Sequence, residues 1–168
     1  MSFRSPPAWW GVSEDEFMLK GISPLITPEL LAAMSAMGHG DGIVIADANF
    51  PARRVAGEHT LVQLPMIGTV AVLKAIMKLI PPDALHENPG YVMRMDPRDQ
   101  ERLGTDPLIW KDYLSIVSQE HKGKSLGTIE RMAFYEEASR CRAVVLTGEM
   151  TPYANIIVYK GVIENKTW

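Results

Sequence analysis

His39, in the turn Met37-Gly38-His39-Gly40-Asp41-Gly42, and Asp47, which closes the apolar run Ile43-Val44-Ile45-Ala46, are the side chains best suited to moving a proton. An imidazole titrates near neutral pH and a carboxylate accepts hydrogen bonds, as acid–base chemistry on a bound ligand requires. Each also has a plainer use: His39 as a cation capping the preceding helix, Asp47 as a loop-capping turn residue. Arg131 opens a predicted helix, where the dipole disfavours a cation, so it is either a solvated surface group or one kept for a ligand. Tyr153 and Asn155, in Thr151-Pro152-Tyr153-Ala154-Asn155, carry polar tips with little charge. Such groups suit hydroxyl-rich ligands, although a turn Asn and a core-edge Tyr explain them equally.

Geometry limits a dyad of His39 and Asp47. Strand and turn separate them by roughly 20 Å if extended, because each strand residue advances about 3.3 Å. Either the Gly38-His39-Gly40 turn folds back, or other loops or chains complete the site.

The elements that must position these groups alternate between helix and strand. Thr27-Pro28-Glu29 is a helix start, with Thr to cap, Pro at the first position and Glu at the positive end. Leu30, Leu31, Met34 and Met37 form one stripe, and Gly38 is the expected stop. Ile43 to Ala46 reads as a strand covered on both faces, and Leu61 to Leu64 as another. Val70 to Ile80 reads as a helix ended by Pro81-Pro82. Tyr91 to Met95 reads as a strand, and Asp106-Pro107 opens a helix bearing Leu108, Ile109, Tyr113, Leu114 and Val117. After the mobile-looking connection Lys122 to Gly127 come a helix from Arg131 to Arg140 and strands at Ala143 to Leu146 and Ile156 to Tyr159. The alternation predicts a three-layer α/β/α domain with a mixed, largely parallel sheet. Ligands of such sheets bind beyond the carboxyl ends of strands, where Asp47 and Thr147-Gly148-Glu149 lie.

Residues 1–17, with Pro6, Pro7, Trp9, Trp10 and the acidic Glu14-Asp15-Glu16, read as an N-terminal extension, and residues 18–168 as one domain. Two indoles are costly to leave in water, so the arm is expected to dock on its own domain or a neighbouring subunit. The 168 residues, 46% apolar and 22% charged, suit a single globular core. A net charge of −3 leaves no basic footprint for nucleic acid. No apolar run approaches the ~20 residues of a membrane span. Cys141 is the single cysteine, so there is no internal disulfide framework, which suits a reducing cytoplasm. The histidines at 39, 59, 86 and 121 show no metal-ligand spacing. Walker, dinucleotide and nucleophile-elbow motifs are absent, so no cofactor is implied.

Longer motifs resemble a known family. Met18-Leu19-Lys20-Gly21-Ile22-Ser23-Pro24-Leu25-Ile26-Thr27-Pro28-Glu29, Met37-Gly38-His39-Gly40-Asp41 and Asp47-Ala48-Asn49-Phe50-Pro51-Ala52 are similar, in this order, to the start of fucose mutarotases. These are grouped with the ribose pyranases among sugar-ring isomerases. Arg131-Met132-Ala133-Phe134-Tyr135-Glu136, Thr147-Gly148-Glu149 and Pro152-Tyr153-Ala154-Asn155 continue the resemblance, which spans roughly residues 18–163 and is loose between about 81 and 125. It implies that His39 is the proton donor and that Asp47, Arg131, Tyr153 and Asn155 contact a monosaccharide, without metal or cofactor. It further implies a ring-shaped homo-oligomer, commonly a decamer, in which the Tyr-x-Asn turn comes from an adjacent subunit. Arg131, where pyranases carry His, favours the mutarotase branch. Pro152 to Asn155 is closer to the pyranase turn, and Asn49 stands where mutarotases commonly have His.

The expected reaction is anomer interconversion of a free sugar, L-fucose or a relative, by ring opening and closure. D-ribose pyranase activity, a non-catalytic sugar-binding module, a ligand-free structural ring and a metal-dependent hydrolase using His39, Asp47 and His59 are the alternatives.

Overall fold

The computed structural model describes residues 19–118 and 125–163. The Trp9/Trp10 arm, its acidic cluster, His121 and the stretch Lys122 to Lys124 lie outside the described residues. Helix α1 (Pro28–Ala36) begins as its sequence dictates, with Thr27 Oγ1 accepting a hydrogen bond from Leu30 N–H and Pro28 in the first turn. Strand β1 (Gly42–Ala46) is buried at every position. There follow α2 (Ala52–Ala56), β2 (Thr60–Leu64), α3 (Thr69–Met77), β3 (Tyr91–Met93), α4 (Pro97–Leu103) and α5 (Ile109–Val117). Beyond the undescribed stretch come β4 (Gly127–Ile129), α6 (Arg131–Ala138), β5 (Ala143–Thr147) and β6 (Ile156–Tyr159).

The six strands form one sheet in the order β2-β5-β1-β6-β3-β4. The pairs β1–β5, β2–β5 and β3–β4 are parallel, whereas β6 runs antiparallel to both β1 and β3. The sheet is therefore mixed, with β6 alone reversed. Alternate β1 residues serve opposite faces, as the two-residue strand period requires. Ile43 and Ile45 pack in a core with Leu30, Met34, Leu73, Ile76, Tyr113 and Val117, so α1, α3 and α5 cover that face. Val44 and Ala46 pack with Val55, Phe134 and Ala138, so α2 and α6 cover the other. This is the expected α/β/α sandwich.

Several local expectations change. α1 stops at Ala36, and Met37 is already extended (φ −69°, ψ 134°), one residue ahead of the glycine expected to stop it. Met37 is 4% exposed and its carbonyl accepts a hydrogen bond from Lys160 Nζ at 2.6 Å, so tertiary contacts turn the chain first. The left-handed residue of that turn is Gly40 (φ 81°). α3 ends at Met77, before Pro81. Leu108, placed on the α5 stripe by its spacing, is 73% exposed because the helix begins one residue later. Sequence reading missed α2, α4 and β4, which are too short to show a period.

Candidate active site

Two groups of polar side chains sit at opposite edges of β1. The first lies beyond its carboxyl end. Because β6 runs antiparallel to β1, with Ile156 opposite Ile45, Asn155 arrives beside Asp47. The two interlock: Asp47 N–H donates to Asn155 Oδ1 at 3.0 Å, and Asn155 Nδ2 donates to Asp47 Oδ2 at 2.8 Å. Asn49 N–H donates to Asp47 Oδ1 at 2.9 Å. Burial raises the Asp47 pKa above the usual carboxylate value; the bonds from Asn49 and Asn155 oppose the rise and the charge of Glu149 adds to it.

The loop around Asp47 rests on Thr147-Gly148-Glu149. Thr147 Oγ1 donates to Ala46 O at 2.8 Å, and Ala48 N–H donates to Glu149 O at 2.8 Å. A Cβ on Gly148 would lie 2.0 Å from Pro65 O, so only glycine allows this close approach.

Tyr153 has φ 61°, the single positive value on a non-glycine among the described residues. Such strain persists only where the surroundings enforce it. Here α5 does so: Trp110 Nε1 donates to Tyr153 O at 3.0 Å and Tyr113 OH donates to Ala154 O at 3.1 Å. Arg131 extends from the start of α6 to Asp96 Oδ2 at 2.8 Å. The dipole mismatch of that position is offset by Glu130, whose carboxylate caps the helix by accepting from Met132 N–H and Ala133 N–H. Asp47, Asn49, Arg131, Tyr153 and Asn155 together line a cavity of about 160 Å³, floored by Phe50 and Met93. Drug-sized pockets run ~300–1,000 Å³, so this one suits a small polar ligand.

The second group lies at the amino end of β1. His39, 43% exposed, places Nε2 3.3 Å from Asp83 Oδ2, and Asp83 is 3% exposed. His86 Nδ1 is 2.9 Å from the same oxygen, and Leu85 N–H donates to Asp83 Oδ1 at 2.9 Å. Burial pushes the Asp83 pKa up, but the Leu85 bond and the two imidazoles outweigh it and hold the carboxyl below its usual value. The His86 ring stacks on Tyr159, centroids 4.1 Å apart, and Tyr159 OH donates to Glu137 Oε1 at 2.7 Å. A carboxylate against an imidazole fixes the orientation of the ring. Sequence reading missed Asp83 and placed His86 among the scattered histidines. Their three-residue spacing after Pro81-Pro82 was the available signal.

A hollow of about 580 Å³ adjoins Asp83, lined by Leu85, Ile116, Val162 and Ile163 among others. Of these, Leu85, Val162 and Ile163 are exposed at 78%, 62% and 56%.

The family model of the "RbsD / FucU transport protein family" matches residues 20–163. The human fucose mutarotase is 42% identical over 146 residues, covering 86% of this chain and 94% of that protein. The chain belongs to the RbsD/FucU family. Among solved structures, FucU from Bifidobacterium longum superposes with a TM-score of 0.79 at 37% identity, covering 86% of this chain and all of that one. The fucose mutarotase of Streptococcus pneumoniae, solved in complex with L-fucose, gives 0.76 at 34% identity, covering 87% and 100%.

The fold of this RbsD/FucU chain corrects two expectations. Tyr153 and Asn155 were expected from an adjacent subunit, yet their own chain brings them to Asp47, as the paired Asp47–Asn155 bonds require. The residue left apart is His39, one strand length away. The hydrolase site of His39, Asp47 and His59 is likewise not assembled, since His39 and Asp47 lie at opposite ends of β1. Among the described residues, no group of three His, Cys, Asp or Glu side chains could hold a metal ion. None of the described helices is long and apolar enough to cross a membrane.

Proposed function

We propose that this RbsD/FucU-family chain is a mutarotase, an isomerase that interconverts the anomers of L-fucose or a close relative. The observation that carries this reading is the small cavity in which Asp47, Arg131, Tyr153 and Asn155 converge. Its groups bind hydroxyls without a metal or a redox centre. The reaction needs only positioned proton transfer: a base takes the anomeric hydroxyl proton, an acid protonates the ring oxygen, the open aldehyde rotates and the ring recloses. His39 is the proposed acid, oriented by Asp83, with water or a nearby side chain as base. Asp47 and Asn155 accept and donate to sugar hydroxyls, Arg131 donates, and Tyr153 packs on or bonds to the sugar. Positioned proton transfer of this kind accelerates a reaction by ~10²–10⁴-fold.

His39 reaches such a cavity through a second copy of the chain. In this reading the chain forms a closed homo-oligomer, a ring and by resemblance a decamer, in which one copy's His39 edge abuts its neighbour's Asp47 edge. Leu85, Val162 and Ile163, exposed beside Asp83, support this, because apolar side chains grouped at a surface mark interaction sites. The lone Cys141 is buried, with its thiol pushed up to about 12 by burial, and fits the cytoplasmic setting inferred from the sequence. Residues 1–17 are assigned as an extension to this one domain.

Saturation-transfer NMR on L-fucose tests the function. Exchange between anomers well above the buffer rate is expected. Exchange at the buffer rate for fucose, ribose and their relatives overturns the reading, and sugar binding with no added exchange would make the chain a binding module.

A further inference from the structure

Helix α4 stands out because packing does not account for its place. None of its seven residues is buried, and it is bounded by Pro97 and the left-handed Gly104 (φ 74°). Its links to the rest of the chain are polar, and they go to the cavity. Tyr153 OH donates to Asp99 Oδ2 at 2.5 Å, and Asp96 N–H donates to the Tyr153 hydroxyl oxygen at 3.4 Å. Asp96, the residue that caps α4, pairs with Arg131 at 2.8 Å. Asp99 is itself braced, its other oxygen accepting from Arg102 Nε at 3.2 Å and Arg102 Nη2 at 2.9 Å. Two of the cavity's four proposed sugar contacts are therefore held by one short exposed helix.

A phenol has one hydroxyl proton and two acceptor positions. With the proton committed to Asp99, Tyr153 can offer the cavity only a lone pair. The guanidinium of Arg131 has no acceptor and five donors, and Asp96 engages it at Nη1. We propose that Asp99 and Asp96 are positioning residues that set the hydrogen-bond polarity of the sugar pocket. Asp99 makes Tyr153 an acceptor, so the sugar hydroxyl facing it must donate. Asp96 turns Arg131 so that its remaining N–H groups face a sugar oxygen. Specificity then resides partly in a helix that touches no sugar. This inference rests on the mutarotase reading of the cavity, which it deepens.

The test uses the full chain labelled with ¹³Cζ-tyrosine, with L-fucose as probe. Asp99→Ala should move the Tyr153 Cζ resonance in the sugar-free protein, because the phenol loses its acceptor. It should raise KM for anomer exchange about tenfold with kcat changed far less, in line with a single hydrogen bond to a charged group. Tyr153→Phe should weaken KM likewise, and Asp99→Ala added to it should cost nothing further, since the aspartate acts through the tyrosine. Asp99→Glu, which keeps the carboxylate, should recover part of the loss. An unmoved Tyr153 resonance, or losses that multiply in the double variant, would overturn the proposal. The resonance reads Asp99 without any reaction, so failure of the mutarotase reading appears separately, as wild-type exchange at the buffer rate.

Discussion

The two edges of β1 hold chemically different groups. Beyond its carboxyl end, the buried Asp47, Asn155 and Tyr153 and the exposed Arg131 form a cross-braced set whose bonds fix each side chain. Ahead of its amino end, His39 is half-exposed and pairs with the buried Asp83. The first region offers several fixed hydrogen-bonding groups, and the second presents one titratable ring at the surface. A strand of five residues keeps them apart. In the mutarotase reading proposed above, binding and proton transfer are divided between these two regions, and a neighbouring copy would join them.

The division can be broken at the proposed proton donor first. His39→Ala should lower anomer exchange by ~10²–10⁴-fold while L-fucose still binds, with rate and binding both read by NMR. Loss of binding in equal measure would place His39 among the clamps. The next effect is a recovery. Separately inactive His39→Ala and Asp47→Ala chains, unfolded and reassembled together at equal amounts, should regain about a quarter of wild-type exchange, because a quarter of random junctions pair two intact edges. No recovery from a verified mixed assembly would put each site within one chain. The smallest effect sharpens the electrostatic contrast. Asp83 lies below its unfolded value of ~3.9, so its ionised form stabilises the fold above that pH, and the stabilisation is lost as pH falls through the lower folded value. Melting temperature against pH should therefore fall less steeply in that acid range for Asp83→Asn than for wild type. Parallel curves would show that Asp83 contributes nothing of this kind.

Helix α1 was legible because its signals are local: Thr27 caps it, Pro28 starts it and Leu30 and Met34 repeat on one face. β1 was legible because it is covered on both sides and reads as an unbroken apolar run. The five candidate residues were also legible, by type and by resemblance. Asp83 and α4 were not. Asp83 takes its meaning from Tyr159 O, which accepts its N–H at 3.0 Å, and from His39, 44 positions away. α4 has no apolar face to announce it, so pattern reading passes over Asp99 altogether.

The sequence by itself determined the layered α/β/α class, the polarity of the longer elements and five side chains suited to chemistry, since these follow from short-range spacing and residue type. Only the tertiary structure decided which of them meet. The reversal of β6 carries Asn155 to Asp47 and Tyr159 toward the His39 end of the same strand. That reversal is a matter of sheet order and strand direction, which depend on long-range pairing and leave no mark on local periodicity.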